Sequence, residues 1–207
     1  MKVVALGGCG AMGRATSWEL AENEAVEDLL IADADIDAAD AFAAELPGDV
    51  STAHVDVTDH DGVVETIADA DVVANALPYA FNVAVMEACL DADCHYLDLG
   101  GLYHKTQDQL EYDEAFAEAG LTAVLGMGAS PGLTNVATAM GASHLDQVES
   151  IHIRTGAKGG GEGFAYSAKT ILDELTMEPV VYEDGEYRTL DPLSGRETYT
   201  MPSPVGE

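Results

Sequence analysis

Three glycines and one aspartate carry the first chemistry that can be read from this chain. Gly8, Gly10 and Gly13 stand in the spacing G-x-G-x-x-G directly after the apolar run Val3-Val4-Ala5-Leu6. In that arrangement the first glycine turns the chain, the second lets backbone approach a pyrophosphate, and the third lets a helix pack on the strand. Ala11 and Met12 lead into that helix, whose unpaired N–H groups attract phosphate. About 20 residues on, Asp33 closes a second apolar run over 28–33, where a carboxylate accepts both ribose hydroxyls of an adenosine and repels a 2′-phosphate. With Asp35 close by and no arginine in that turn, NAD is the expected cofactor and NADP the less favoured one. The competing reading is a glycine-rich turn of another α/β protein with a surface Asp.

Further candidates follow strand by strand. Asp56 and Val57 end a strand over 50–57, where an adenine would lie, while Thr58 or Asp59 suits the N-cap of a helix over 62–68. Asn75, Leu77 and Pro78 end a strand over 71–76 and are candidates for the nicotinamide side. Asp98 ends a strand over 94–101 beside Gly100 and Gly101; it either meets a small substrate or bonds to its own loop. For proton transfer the candidates are Asp98, His104 in the loop that follows, and Tyr166 with Lys169, three apart and so on one helix face. Arg154, Lys158 and Lys169 could bind a substrate carboxylate, or pair with the abundant acids as ordinary surface cations.

The elements that must position these residues alternate. Strands over 28–33, 50–57, 71–76, 94–101 and 121–125 are separated by helices over 37–46, 62–68, 81–90 and 106–118. Ser130 reads as an N-cap with Pro131 at the first helical position. A strand over 147–155, a helix over 164–175 and a hairpin turning at Asp184-Gly185 come next. The expected fold is α/β, a Rossmann-type doubly wound parallel sheet over 1–128, with the beginning of a second α+β substrate domain over 129–207. That second part is too short to close a core of its own, so the chain reads as an N-terminal fragment of a longer enzyme.

Composition excludes several classes. The 207 residues hold 38 acidic side chains against 8 Lys and Arg, a formal charge of −30, which rules against nucleic acid or anionic membrane as partner. So acidic a surface suits solubility in high salt, a halophile's condition. Cys9, Cys89 and Cys94 lack C-x-x-C spacing, so neither disulfide framework nor metal site is expected, and a reduced cytoplasm fits. No secretory signal opens the chain. The uncharged stretch 121–145 has spanning length, yet its glycines, Ser130, Pro131 and Asn135 fit strand, turn and helix better.

The order of motifs resembles the saccharopine dehydrogenase family, which includes lysine dehydrogenases and saccharopine reductases. The residues that carry it are Gly7-Gly8-Cys9-Gly10-Ala11-Met12-Gly13, Asn75-Ala76-Leu77-Pro78, Tyr96-Leu97-Asp98-Leu99-Gly100-Gly101 and Pro131-Gly132-Leu133-Thr134-Asn135. The resemblance implies an NAD(P)-dependent oxidoreductase that moves hydride at the C–N bond of an amino acid or its conjugate. The expected partners are an amino-acid substrate and a second copy of the chain, as a homodimer through the substrate domain, with no metal. Semialdehyde and dihydrodipicolinate reductases would share the first motif but not the later ones. The alternative from another class is a non-catalytic NAD-binding regulatory protein.

Overall fold

Strand and helix alternate to wind one parallel sheet in the computed structural model, which describes residues 1–156 and 168–206. The chain runs β1 (Lys2–Leu6), α1 (Gly13–Glu22), β2 (Asp28–Asp33), α2 (Ile36–Ala43), β3 (Val50–His54), α3 (His60–Ile67), β4 (Val72–Asn75), α4 (Asn82–Asp91), β5 (His95–Asp98), α5 (Tyr103–Leu110), α6 (Asp113–Ala119) and β6 (Ala123–Val124). The sheet order is β3-β2-β1-β4-β5-β6 with every pair parallel. This is the doubly wound order, and its direction reverses between β1 and β4, the point at whose carboxyl-end side sheets of this kind bind ligands.

The core follows from strand alternation. Val4 and Leu6 of β1 join Val63, Ile67, Val85, Met86 and Phe116 from α3, α4 and α6. Val3 and Ala5 turn the other way, against Leu20 and Ala21 of α1, while Ile31 of β2 meets Ala39 and Phe42 of α2. Both faces of the parallel sheet are thereby covered. Each large side chain fully withdrawn from water contributes about 1.5–3 kcal/mol. Asp35 and Asp59 start α2 and α3 by accepting from Ala38 N and Gly62 N.

Four expectations are corrected. The helix expected over 106–118 is two, α5 and α6: its first part turns Gln109 inward to a buried carboxylate, its second inserts Phe116 into the core. His104 therefore lies in the first turn of α5 and not in a loop. Ser130 and Pro131 do not start a helix, because Ser130, Pro131 and Gly132 hold non-helical backbone angles, and α7 (Thr134–Ala142) begins only after that bend. Residues 147–155 form no strand; no neighbouring strand hydrogen-bonds to them among the described residues.

The chain divides into two compact units, Met1–Ala137 and Thr138–Glu207, so the Pro131 segment belongs to the first. The second contains α8 (Ala168–Thr176) and the hairpin of β7 (Val180–Glu183) and β8 (Glu186–Thr189). The turn sits at Asp184-Gly185, with φ of 54° and 85°, and Tyr182 and Tyr187 pair across the strands with ring centroids 5.1 Å apart. Among the described residues no helix is long and apolar enough to cross a membrane.

Candidate functional site

The turn from β1 to α1 lies at the reversal point of the sheet. Gly7 N donates to Ala32 O at 2.9 Å and Gly10 N to Gly7 O at 3.0 Å, which folds the loop tightly over β2. A Cβ on Gly13 would lie 2.0 Å from Gly7 O, so only glycine lets α1 start this close to the turn. A Cβ on Gly10 would meet nothing nearer than Gly7 O at 3.2 Å, and Gly10, Ala11 and Met12 are exposed. At Gly10 the loop therefore offers bare backbone, the surface a pyrophosphate needs, with the Ala11 and Met12 side chains exposed beside it. No side chain caps α1 and its first turn holds no acid, in contrast to α2 and α3 with their Asp caps and acidic first turns. These residues fit a dinucleotide.

Asp33 ends β2 half-buried, accepting Asp35 N at 3.1 Å, and it also takes a hydrogen bond from the Cys9 thiol. Burial first, then that bond and the charges of Asp33 and Asp35, push the Cys9 thiol up to about 12. A carboxylate has about four acceptor positions, which leaves room for ribose hydroxyls. Arg14, at the start of α1, is engaged elsewhere: its guanidinium lies 3.9 Å from the centre of the Phe42 ring and donates to Glu45 at 3.0 Å. Asp56 and Val57 stand just past the end of β3. Asp56 accepts from Thr58 N and Oγ1 at 2.9 and 2.7 Å, bonds that hold its carboxyl below the ordinary range, whereas Val57 packs toward the core.

The exits of β4, β5 and β6 are joined by buried polar side chains. Asn75 accepts Leu77 N at 3.1 Å and donates to Asn82 Oδ1 at 3.0 Å and to Tyr96 Oη at 3.1 Å. Leu77 rests on Gly7, and Pro78 is exposed. Asp98 is 1% exposed and accepts five hydrogen bonds, from Tyr96, Gln109, Asn82, Gly100 N and Gly126 N. An acceptor so engaged has no face toward a substrate; of its two readings, the structure supports bonding to its own loop. Burial, then the Asp98 charge, push the Tyr96 phenol far above its ordinary range, which keeps it a donor.

The remaining candidates are not gathered with these. His104 is exposed on α5, edge-on to Tyr103 with ring centroids 5.5 Å apart. Lys158 and Tyr166 lie outside the described residues. In the second unit, Arg154 pairs with Glu197 at 2.6 Å and lies over the Tyr199 ring, and Lys169 pairs with Asp173 one helical turn away at 2.5 Å. Among the described residues no group of three or more His, Cys, Asp or Glu is arranged to hold a metal ion. Asn82, Tyr96 and Gln109 were missed from the sequence. Tyr96 and Asp98, two apart on one strand and so on one face, were the available signal.

Residues 3–124 match the family model described as the saccharopine dehydrogenase NADP binding domain. A carboxyaminopropylagmatine dehydrogenase of Synechocystis is 31% identical over 98% of this chain and 54% of its own length. A carboxynorspermidine synthase of Vibrio alginolyticus is 33% identical over 65% of this chain and 36% of its own. The fold is shared with the L-Glu-forming saccharopine dehydrogenase of Saccharomyces cerevisiae, at a TM-score of 0.68 and 19% identity over 98% of this chain and 47% of that one. The chain spans about half the length, or less, of the curated relatives it matches.

Proposed function

The chain belongs to the saccharopine dehydrogenase family, and from that premise we propose that it is the cofactor-binding part of an oxidoreductase acting at the C–N bond of an amino acid or amino-acid conjugate. The observation that carries the reading is the β1–α1 turn, bare backbone at the reversal point of the sheet with an uncapped helix behind it. Bound nicotinamide supplies the hydride donor or acceptor; the protein's share is to hold, orient and exclude water. Gly8, Gly10, Ala11, Met12 and Gly13 hold the pyrophosphate, and Asp33 accepts from the adenosine ribose.

The family model is named for NADP, yet the acceptor at the end of β2 is a carboxylate, Asp35 stands beside it, and Arg14 is committed to Glu45 and Phe42. These favour NAD over NADP by charge. His104 is the proposed proton carrier, since it is exposed and an imidazole can both take up and give back a proton. Arg154, Lys158 and Lys169 are the proposed partners of a substrate carboxylate. The relatives' names make carboxyaminopropylagmatine and carboxynorspermidine the first compounds to try, beside lysine and saccharopine.

The test is a titration with NADH and NADPH in concentrated salt, which screens the charge of −30, followed by nicotinamide fluorescence in wild type and Asp33→Ala. Tighter binding of NADH, weakened by the substitution, is expected. A folded chain that binds neither dinucleotide overturns the reading, and equal or tighter NADPH binding overturns the preference.

A further inference from the structure

The ladder between β5 and β6 is short, pairing Tyr96 with Ala123 and Leu97 with Val124. Beyond it the two exit loops have no strand hydrogen bonds, yet they run on side by side. A single residue continues the ladder. Asp98 accepts Gly100 N at 2.7 Å and Gly126 N at 2.8 Å on Oδ1, and its main-chain oxygen accepts Met127 N at 2.7 Å. Its other carboxylate oxygen takes Gln109 Nε2 at 2.6 Å, Tyr96 Oη at 2.8 Å and Asn82 Nδ2 at 3.2 Å. Gly100 can enter this arrangement because it has a φ of 102° and leaves space for Pro131, whose Cγ would lie 2.6 Å from a Cβ there.

The network does not stop at β5. Asn82 Oδ1 accepts Asn75 Nδ2, and Asn75 Oδ1 accepts Leu77 N, so the exit of β4 is tied to the same group. We propose that Asp98 is a positioning residue: its carboxylate latches the exits of β4, β5 and β6 into one rigid floor under the nicotinamide half of the dinucleotide. The proposal rests on the dinucleotide reading and deepens it. In a sheet of this order the adenosine half lies over β1 and β2, and the other half lies over β4 and beyond. The adenosine half is shaped by backbone and the nicotinamide half by this buried anion.

Only a carboxylate can do this. All five partners on its oxygens are donors, and an ionised Asp is an acceptor throughout. In Asp98→Asn one oxygen becomes an NH₂ group, and it faces either the two glycine amides or the three side-chain donors. Either way donors oppose donors, and one side of the latch opens.

The experiment uses the full chain, with Asp98→Asn and the milder Tyr96→Phe, which removes one donor and keeps the ring. Amide hydrogen exchange is read without ligand at Gly100, Gly126 and Leu77, and affinities are measured for NADH and for ADP-ribose, which lacks nicotinamide. Exchange at Gly100 and Gly126 is expected to speed by about tenfold or more in Asp98→Asn and less in Tyr96→Phe, with the β1–α1 turn unchanged. NADH is expected to bind about fivefold more weakly, and ADP-ribose to change less than about twofold. Unchanged exchange at both glycines, or equal weakening of both ligands, overturns the latch. Wild type binding neither ligand while the exchange pattern appears overturns the dinucleotide reading instead, and with it the link from latch to nicotinamide.

Discussion

Replacing Tyr96 by phenylalanine removes one oxygen from the buried network and leaves its ring in the core. The ring is 1% exposed, and its hydroxyl donates to Asp98 Oδ2 at 2.8 Å while accepting from Asn75 Nδ2 at 3.1 Å. The bond lost is charge-assisted, and such bonds are worth about 1.5–3 kcal/mol. Neither partner is orphaned: Asn75 Nδ2 keeps Asn82 Oδ1 at 3.0 Å, and Asp98 keeps Gln109 at 2.6 Å. The expected loss is about 2 kcal/mol, which for a chain of this length lowers the melting temperature by roughly 4–8 °C. Against a typical stability of about 5–15 kcal/mol the variant still folds. Thermal and urea unfolding at pH 7, followed by far-ultraviolet circular dichroism, measures the change. Tyr112→Phe is the control, because that hydroxyl bonds Glu87 at 2.5 Å near the surface, where water competes for both groups and the bond is worth about 0.5–1 kcal/mol. Melting of Tyr96→Phe within about 1 °C of wild type would refute the reasoning, as would a loss no larger than that of the control.

Gly13→Ala places a Cβ 2.0 Å from Gly7 O, a contact with main chain that no side-chain motion relieves. It is expected to cost about 3 kcal/mol or more and to abolish NADH binding, checked by melting and fluorescence titration; a tolerated alanine would mean that α1 starts elsewhere. The Cys9 thiol, raised from 9.0 to about 12, holds about a thousandfold less thiolate at pH 8 than an ordinary thiol. Alkylation by iodoacetamide, followed by mass spectrometry, should be slow to that degree and faster in Asp33→Asn; a rate like that of a free thiol would sink the Cys9–Asp33 contact. The same shift sets a sign for stability. With the folded value above the unfolded one, the stability Cys9 contributes is present below pH 9 and is lost as pH rises toward about 12. Cys9→Ala should flatten the alkaline limb of a stability–pH curve, and an unchanged limb would contradict it.

The parallel sheet was legible because its signals are local. Apolar runs, glycine exits and Asp caps each lie within a few residues, and β1 to β6 appear where those signals stand. The failures are places where a local rule met a distant partner. Ser130-Pro131 has the composition of a helix start, but Pro131 is drawn against Gly100 and Gly126, and the backbone cannot be helical and make that contact. The helix expected over 106–118 breaks because Gln109 and Phe116 answer to different neighbours, a carboxylate and the apolar core. Residues 147–155 carry strand-like composition without a partner strand among the described residues.

The proposed dinucleotide site divides along the same line. Its adenosine half is built from backbone shape, which glycine spacing writes directly into sequence, and from one carboxylate at a fixed distance beyond. Its other half is built from side chains that meet across four elements: Asn75 from β4, Asn82 from α4, Tyr96 and Asp98 from β5, Gln109 from α5. Asn75 and Asp98 are marked by their places at strand exits, whereas nothing nearby in sequence announces Asn82 or Gln109, and Tyr96 is signalled only by its spacing from Asp98. A buried anion held by neutral donors alone is sensitive to every one of them, because each lost donor leaves charge less compensated in a low dielectric. Single changes at Asn82 and Gln109 should therefore weaken the latch as Tyr96→Phe does. Substitutions at exposed His104 should leave the fold intact, so His104→Ala, which spares the network, separates proton transfer from positioning.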